Sequence, residues 1–429
     1  MNSVSNSGLS GRSLVALALL NFFLADARDG LGPFLDGFLA THGWSPMTLG
    51  IVATLGGVLG LIATPLFGAL VDASPYKRLL IIIPVTLVTA AALWTLASPG
   101  NASVFGGQSM TAIVGAVIGP ALMGLTLGLV GESAFSAQVA RNEFWNHTGN
   151  VFSLACVYAA TILWGLNGVI GLMLITALAA IMATLAIRPG DIDNDVARGL
   201  ASDRDRRSDM ADDRDDISAA AASPSGYSVL VNSRGLVLLA LTLLVFHFGN
   251  APMSRLIAQN FSIQLGTPFR TTAIVTGVSQ LSMISMALLA PFLIKRFGLA
   301  SVFIIALCAL PLRGAIAGSV PSFASIYPVQ FLDGVGAGLI GIATPIAAER
   351  ILAGTGRFNV GLGAVMTVQG IGASLSNVVA GWLTDRGGYG LAYWVHGGVA
   401  LFALALFMLG REAIAPRASA NLNAEPKLT

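Results

Sequence analysis

Charge is scarce in this chain. Only 10% of its 429 residues are Asp, Glu, Lys or Arg, and there are four histidines and two cysteines. Cys156 and Cys308 fall in apolar stretches in opposite halves, so they read as small core residues rather than a disulfide or metal framework. No Gly-rich loop ends in Lys-Ser or Lys-Thr, which argues against a P-loop ATP-driven pump. There is no metal-ligand cluster, no nucleophile–base motif and no basic patch. The chain is therefore expected to be no enzyme, to use no cofactor and to bind no nucleic acid. A cleavable signal pattern is also missing: Met1–Gly11 is polar and the first apolar run is too long for a signal core.

Apolar length takes the place of charge. Hydrophobic residues make up 55% of the sequence, and the mean hydropathy is +0.78. A spanning helix needs about 20 apolar residues. Twelve such stretches run near 14–39, 48–71, 79–97, 109–131, 146–165, 168–187, 235–257, 271–294, 299–318, 323–346, 358–383 and 392–410. They are continuous rather than alternating, which excludes a closed barrel. Glycines at 56/60, 115/119, 334/338 and 372 are expected to give close-contact helix faces.

The remaining charge is unevenly placed. Arg12, Lys77, Arg78, Arg141, Lys295, Arg296, Arg350, Arg357, Arg411 and Arg417 mark one set of span ends; Arg270 and Arg386 are the exceptions. The positive-inside rule then puts both termini and the long central loop in the cytoplasm. That loop, within 189–230, holds ten acids and several arginines with almost no large apolar residues, the composition of a solvated tether. It divides the chain into bundles at 1–188 and 231–412, with a cytoplasmic tail at 413–429. The halves echo one another in order. LADA (24–27) matches FGNA (248–251), GWSP (43–46) matches GTP (266–268), IVAT (51–54) matches IVTG (274–277), and RNEFWNH (141–147) matches RFNVGLG (357–363). Such internal repeats are how many transporters are built.

The sharpest local motif is GALVDASPYKR (68–78). With twelve spans in two sixes and a long middle loop, it resembles the major facilitator superfamily of secondary transporters. Gly68, Leu70 and Asp72 match the family's loop signature directly, Lys77 and Arg78 supply its positive charge, and Ala73 stands where a base is usual. The second-half counterpart, PFLIKRFG (291–298), keeps only the bases. The resemblance implies an all-α membrane fold of twelve transmembrane helices in two pseudo-symmetric six-helix bundles. It also implies a gate at this loop, with Asp72 facing the start of span 11 near Arg357. The plainer reading is a helix cap with topology-setting bases. GAVIGPALMG (115–124) resembles an antiporter pattern but lies in span 4, where helix packing accounts for it.

Ionisable residues inside a membrane are expensive and are usually functional. On span 1, Asp26, Asp29 and Asp36 fall within about 80° on one stripe and Arg28 points elsewhere. This is either a protonatable stripe with a substrate-binding arginine or a structural ion pair. His247, Asn250 and Ser254 share a face of span 7. Gln330 and Asp333 are one turn apart on span 10, and Asp333 is expected to bind a proton or to pair with Arg28. Gln280, Gln369 and Asn377 are candidate liners or helix–helix glue. Arg255 and Arg313 read as snorkelling or structural, and His396 likewise; Asn142, Glu143 and His147 read as a latch beside Arg141.

The functional expectation is secondary active transport of a small solute by alternating access, with proton-coupled export as its leading form. Uptake or exchange of an anionic metabolite is the alternative, and a non-transporting membrane sensor a remote one. The partners are a small-molecule substrate, protons and the lipid bilayer. The resemblance implies a monomer in the bacterial inner membrane.

Overall fold

A computed structural model describes residues 11–27, 31–198, 231, 233–352 and 358–415. All regular structure among them is helical. The first apolar stretch forms two helices, α1 (Gly11–Ala27) and α2 (Phe34–Thr41). Between them Gly32 takes φ 43, a value that favours glycine, and Pro33 follows at the N-cap of α2. Then come α3 (Pro46–Ala73), α4 (Leu79–Ala97), α5 (Asn101–Gly115) and α6 (Ile118–Ala186). α3 starts where the sequence dictates: Pro46 needs no N–H partner in the first turn, and the Ser45 side chain accepts from the Thr48 amide at 3.2 Å.

α6 is three helical segments, not one. Gly131 and Gly165 take φ 73 and φ 58 inside it, ending one helix and starting the next. Asn142 donates to the Thr126 hydroxyl at 2.9 Å although the two are 16 residues apart. On a straight helix they would stand about 24 Å apart. Leu154 and Val157 likewise share a core with Val169 and Met173 across Gly165. The second half gives α7 (Arg234–Leu265), α8 (Pro268–Phe297), α9 (Leu299–Ser319), α10 (Ile326–Leu352) and α11 (Phe358–Ile414). Gly388, at φ 76, splits α11 in the same way. Nine helices among the described residues are long and apolar enough to cross a membrane. With the glycine breaks counted, and α1–α2 and α5 with 118–131 each grouped as one, the described helices are consistent with the twelve spans of the expected fold.

Two compact units separate. One comprises 1–222, 255–277 and 377–385, the other 223–254, 278–376 and 386–429. Relative to the expected division, two short second-half segments group with the first unit. In the first unit, Leu17, Leu20 and Leu24 of α1 pack on Ile81, Val85 and Leu125. A second core joins Phe34 and Phe38 of α2 to Phe269 of α8, with ring centroids 6.0 and 5.8 Å apart. In the second unit, Phe303 and Phe407 stack at 5.0 Å.

Lipid tails offer little hydrophobic drive between helices, so close backbone approach carries the packing. Gly372 lies against the Leu244 carbonyl, and Gly334 against Ser282, where any side chain would collide. Gly338 is tight on Met283, at 3.2 Å for an added Cβ. Gly56, Gly60 and Gly119 do not behave as expected. An added Cβ at the first two would be 3.9 Å from Ala112, and at Gly119 it would meet nothing within 4 Å.

The stretch read as a tether begins folded. Pro189–Asp191 and Val196–Arg198 are 3-10 turns, and Val196 and Ala197 are buried. The Asp193 amide donates to the Gly128 carbonyl at 2.8 Å, and Ser13 donates to the Asp191 carboxylate at 2.5 Å. The remainder, 199–230, lies outside the described residues.

Candidate functional site

Two buried ion pairs organise the polar interior, one in each unit. In the second unit, α7, α8, α9 and α10 each contribute to a cluster around Asp333. Arg313 of α9 meets Asp333 of α10 at 2.9 Å, and the arginine is completely buried. The guanidinium also donates to Asn250 (2.7 Å), to the Ser254 hydroxyl (2.7 Å) and to Gln330 (2.8 Å). The other carboxylate oxygen of Asp333 accepts from Ser279 at 2.5 Å and from Ser254 at 3.3 Å. Gln330 donates to Ser254 at 3.2 Å, so that hydroxyl accepts twice and donates once, its full capacity. A buried charge pair persists only when its other donors and acceptors are largely satisfied; here Nε of Arg313 is buried without a hydrogen-bond partner among the described residues. Nε2 of His247, one turn before Asn250 on α7, is buried and has no hydrogen-bond partner among the described residues.

In the first unit the pair is Asp36 with Arg255. Arg255 of α7 forks onto both carboxylate oxygens of Asp36 on α2, at 2.5 and 2.7 Å. Gln259 donates to the same carboxylate at 3.3 Å, and Arg255 also donates to Asn377 at 3.2 Å. Asp36 is 4% exposed but Arg255 is 29% exposed. Beside them lies a cavity of about 520 Å³, whose lining includes Pro33, Gly56, Gly60, Gln108, Thr111 and Arg255. That is the size of a small-molecule site. Five of its wall residues, Gly32, Gly56, Gly57, Gly60 and Gly115, are glycines, so here small residues make space rather than helix contact.

Several sequence expectations need correction. Arg313 is not peripheral; it is the centre of the second-unit cluster. Asp333 pairs with Arg313; Arg28 lies outside the described residues. Arg255 does not snorkel but closes on Asp36. Asp36 does not share a continuous helix with Asp26, because α1 ends at Ala27 and Gly32–Pro33 precede α2. Arg28 and Asp29 lie outside the described residues, as does the side chain of Asp26. The same holds for the side chain of Asp72 and for Arg357, so the expected gate contact falls outside too.

Other expected residues are placed as follows. Asn250, Gln330 and Asp333 come together as expected, while Asn377 joins the other pair. Gln280 and Gln369 join neither cluster. Asn142 is a buried link between Thr126 and Gln138, whereas Glu143 and His147 are an exposed pair 4.0 Å apart. In the signature loop, Gly68 has nothing within 4 Å of an added Cβ. Lys77 is buried and donates to the Val71 carbonyl, and Arg78 donates to the Ile187 carbonyl at 3.0 Å. Both bases thus satisfy carbonyls at helix C-termini. His396 is buried against the Phe248 carbonyl at 3.1 Å.

A sequence model of the Major Facilitator Superfamily matches residues 17–346. The chain belongs to this superfamily. Two uncharacterized MFS-type transporters of Mycobacterium tuberculosis are each 35% identical to it over 398 residues, covering 92% of this chain and 92% of each relative. The fold is that of solved transporters at low identity. A mutant of the nucleoside transporter NupG superposes with a TM-score of 0.73 at 14% identity, covering 93% of this chain and 99% of that one. A bacterial homolog of the human lysosomal transporter Spinster, inward-facing and unoccupied, gives 0.70 at 12% identity, covering 94% and 97%. The protein is a multi-pass membrane transporter of this superfamily.

Proposed function

We propose that the protein is a secondary active transporter that exports a small solute in exchange for protons, with Asp333 as the proton-carrying group. The supporting observation is the bonding of Arg313. Its guanidinium already donates to three neutral acceptors, on Asn250, Ser254 and Gln330. When Asp333 takes a proton, the arginine loses its counter-charge but keeps those three hydrogen bonds. His247 stands one turn from Asn250, and its buried Nε2 has no hydrogen-bond partner among the described residues. The cavity beside Asp36 and Arg255 is the candidate solute site.

Transport in proteoliposomes separates the steps. We expect Asp333→Asn to abolish transport driven by a pH gradient while solute exchange survives. Normal pH-driven transport by this variant would remove Asp333 from coupling. A second reading, carriage of an anionic metabolite, draws on the 29% exposure of Arg255 at the cavity wall. Under it, Arg255→Gln would abolish exchange and Asp333→Asn would leave net transport unchanged.

A further inference from the structure

The second unit carries another polar cavity, of about 470 Å³, at the ends of its helices. Three cations line it: Lys295 from the last turn of α8, Arg350 from the last turn of α10 and Arg411 from the last turn of α11. They come from three different helices, and no carboxylate is among the described lining residues. Glu349 and Glu412 are exposed and do not line it. None of the three cations makes an ion pair with a described carboxylate.

The remaining wall is the start of α9. Gly298, at φ 82, forms its N-cap with no side-chain hydrogen bond. Leu299, Ala300 and Ser301 follow in the wall, and the Ser301 hydroxyl is turned back onto the Phe297 carbonyl at 2.8 Å. The partial positive charge of that helix end therefore adds to three full ones.

Topology alone does not require this convergence. At the matching place in the first half, Lys77 and Arg78 are used up on the Val71 and Ile187 carbonyls. Here the three bases line the cavity. Like charges gathered on one cavity repel unless an anion joins them. The surroundings say which kind of anion. Phe297, in the wall, is 56% exposed, and Leu288 and Phe292 of α8 and Leu409 of α11 are exposed apolar residues on the same helices. A charged head with apolar chains matches both surfaces. We propose that this cavity binds the phosphate of an anionic phospholipid headgroup, the acyl chains lying along α8 and α11. Only the membrane placement is needed; coupling at Asp333 is separate.

The test uses the full-length protein in neutral detergent, titrated with phosphatidylglycerol, phosphatidylcholine or inorganic phosphate and read by native mass spectrometry and thermal unfolding. Phosphatidylglycerol should bind at least tenfold more tightly than phosphatidylcholine. Lys295→Gln and Arg411→Gln should each weaken phosphatidylglycerol about fivefold, the loss of one surface charge. Arg141→Gln, which removes an exposed base in the other unit, should have no effect. For the unmodified protein, added salt should weaken phosphatidylglycerol and leave phosphatidylcholine unchanged, a readout that needs no variant to fold. Equal affinity for the two lipids, or equal loss from Arg141→Gln, overturns the proposal. So does protection by inorganic phosphate equal to that of phosphatidylglycerol, which would mark a site for a soluble anion instead.

Discussion

Arg313 holds the second-unit cluster together, and its removal should be among the costliest single changes in the protein. Replacing it with alanine leaves Asp333 buried without its counter-charge, a loss of about 3–5 kcal/mol for a truly buried pair. We expect Arg313→Ala to lower the thermal midpoint in detergent sharply and Arg313→Ala/Asp333→Ala to recover part of the loss. A double variant as unstable as the single would mean that the pair contributes packing rather than charge compensation. Arg313→Lys should not rescue, since one ammonium cannot reproduce the planar fork that reaches Asn250, Ser254, Gln330 and Asp333 at once. The sequence did hold a clue to this residue. Arg313 and Asp333 are isolated charges within two apolar stretches of one half, although Arg255 in a third stretch leaves the partner of Asp333 open. Assigning roles by span number hid it, because a helix ranked as peripheral can still turn one long side chain inward.

At the scale of the element, α2 is where sequence reasoning met its limit. Counting 100° per residue through Asp26, Asp29 and Asp36 assumes one continuous helix, and Gly32–Pro33 breaks it. The glycine and proline were visible; what they do to the direction of Asp36 was not, because that depends on what α2 packs against. The decisive contact is Gly37, where an added Cβ would be 2.6 Å from the Ser262 hydroxyl and 3.0 Å from that of Thr272. We expect Gly37→Val to push α2 off α7 and α8 and so to part Asp36 from Arg255. A disulfide between Phe34→Cys and Phe269→Cys, whose rings are 6.0 Å apart, reports the distance. Its yield should fall several-fold in the Gly37→Val background, and an unchanged yield would show that α2 does not move as a unit.

At the scale of the whole molecule, span number and fold class were legible because they depend on apolar length and on punctuation. Gly131, Gly165 and Gly388 stand at or near the ends of apolar runs, where the chain changes helix. The folded start of the middle loop was not legible, since Val196 and Ala197 are only two small apolar residues among acids. The positive-inside pattern still makes a direct demand: single cysteines introduced at 199–230 should react with impermeant reagents only from the cytoplasmic side. Labelling in intact cells from outside would invert the proposed orientation. The two ion pairs carry a last consequence, for voltage. Asp36 with Arg255 and Asp333 with Arg313 each sum to zero. A proton added to Asp333 is therefore not cancelled by any charge within its own cluster. Carrying it across makes an exchange for neutral cargo electrogenic, worth about 2.3 kcal/mol per 100 mV. The membrane potential then works on the carrier even when no pH gradient exists.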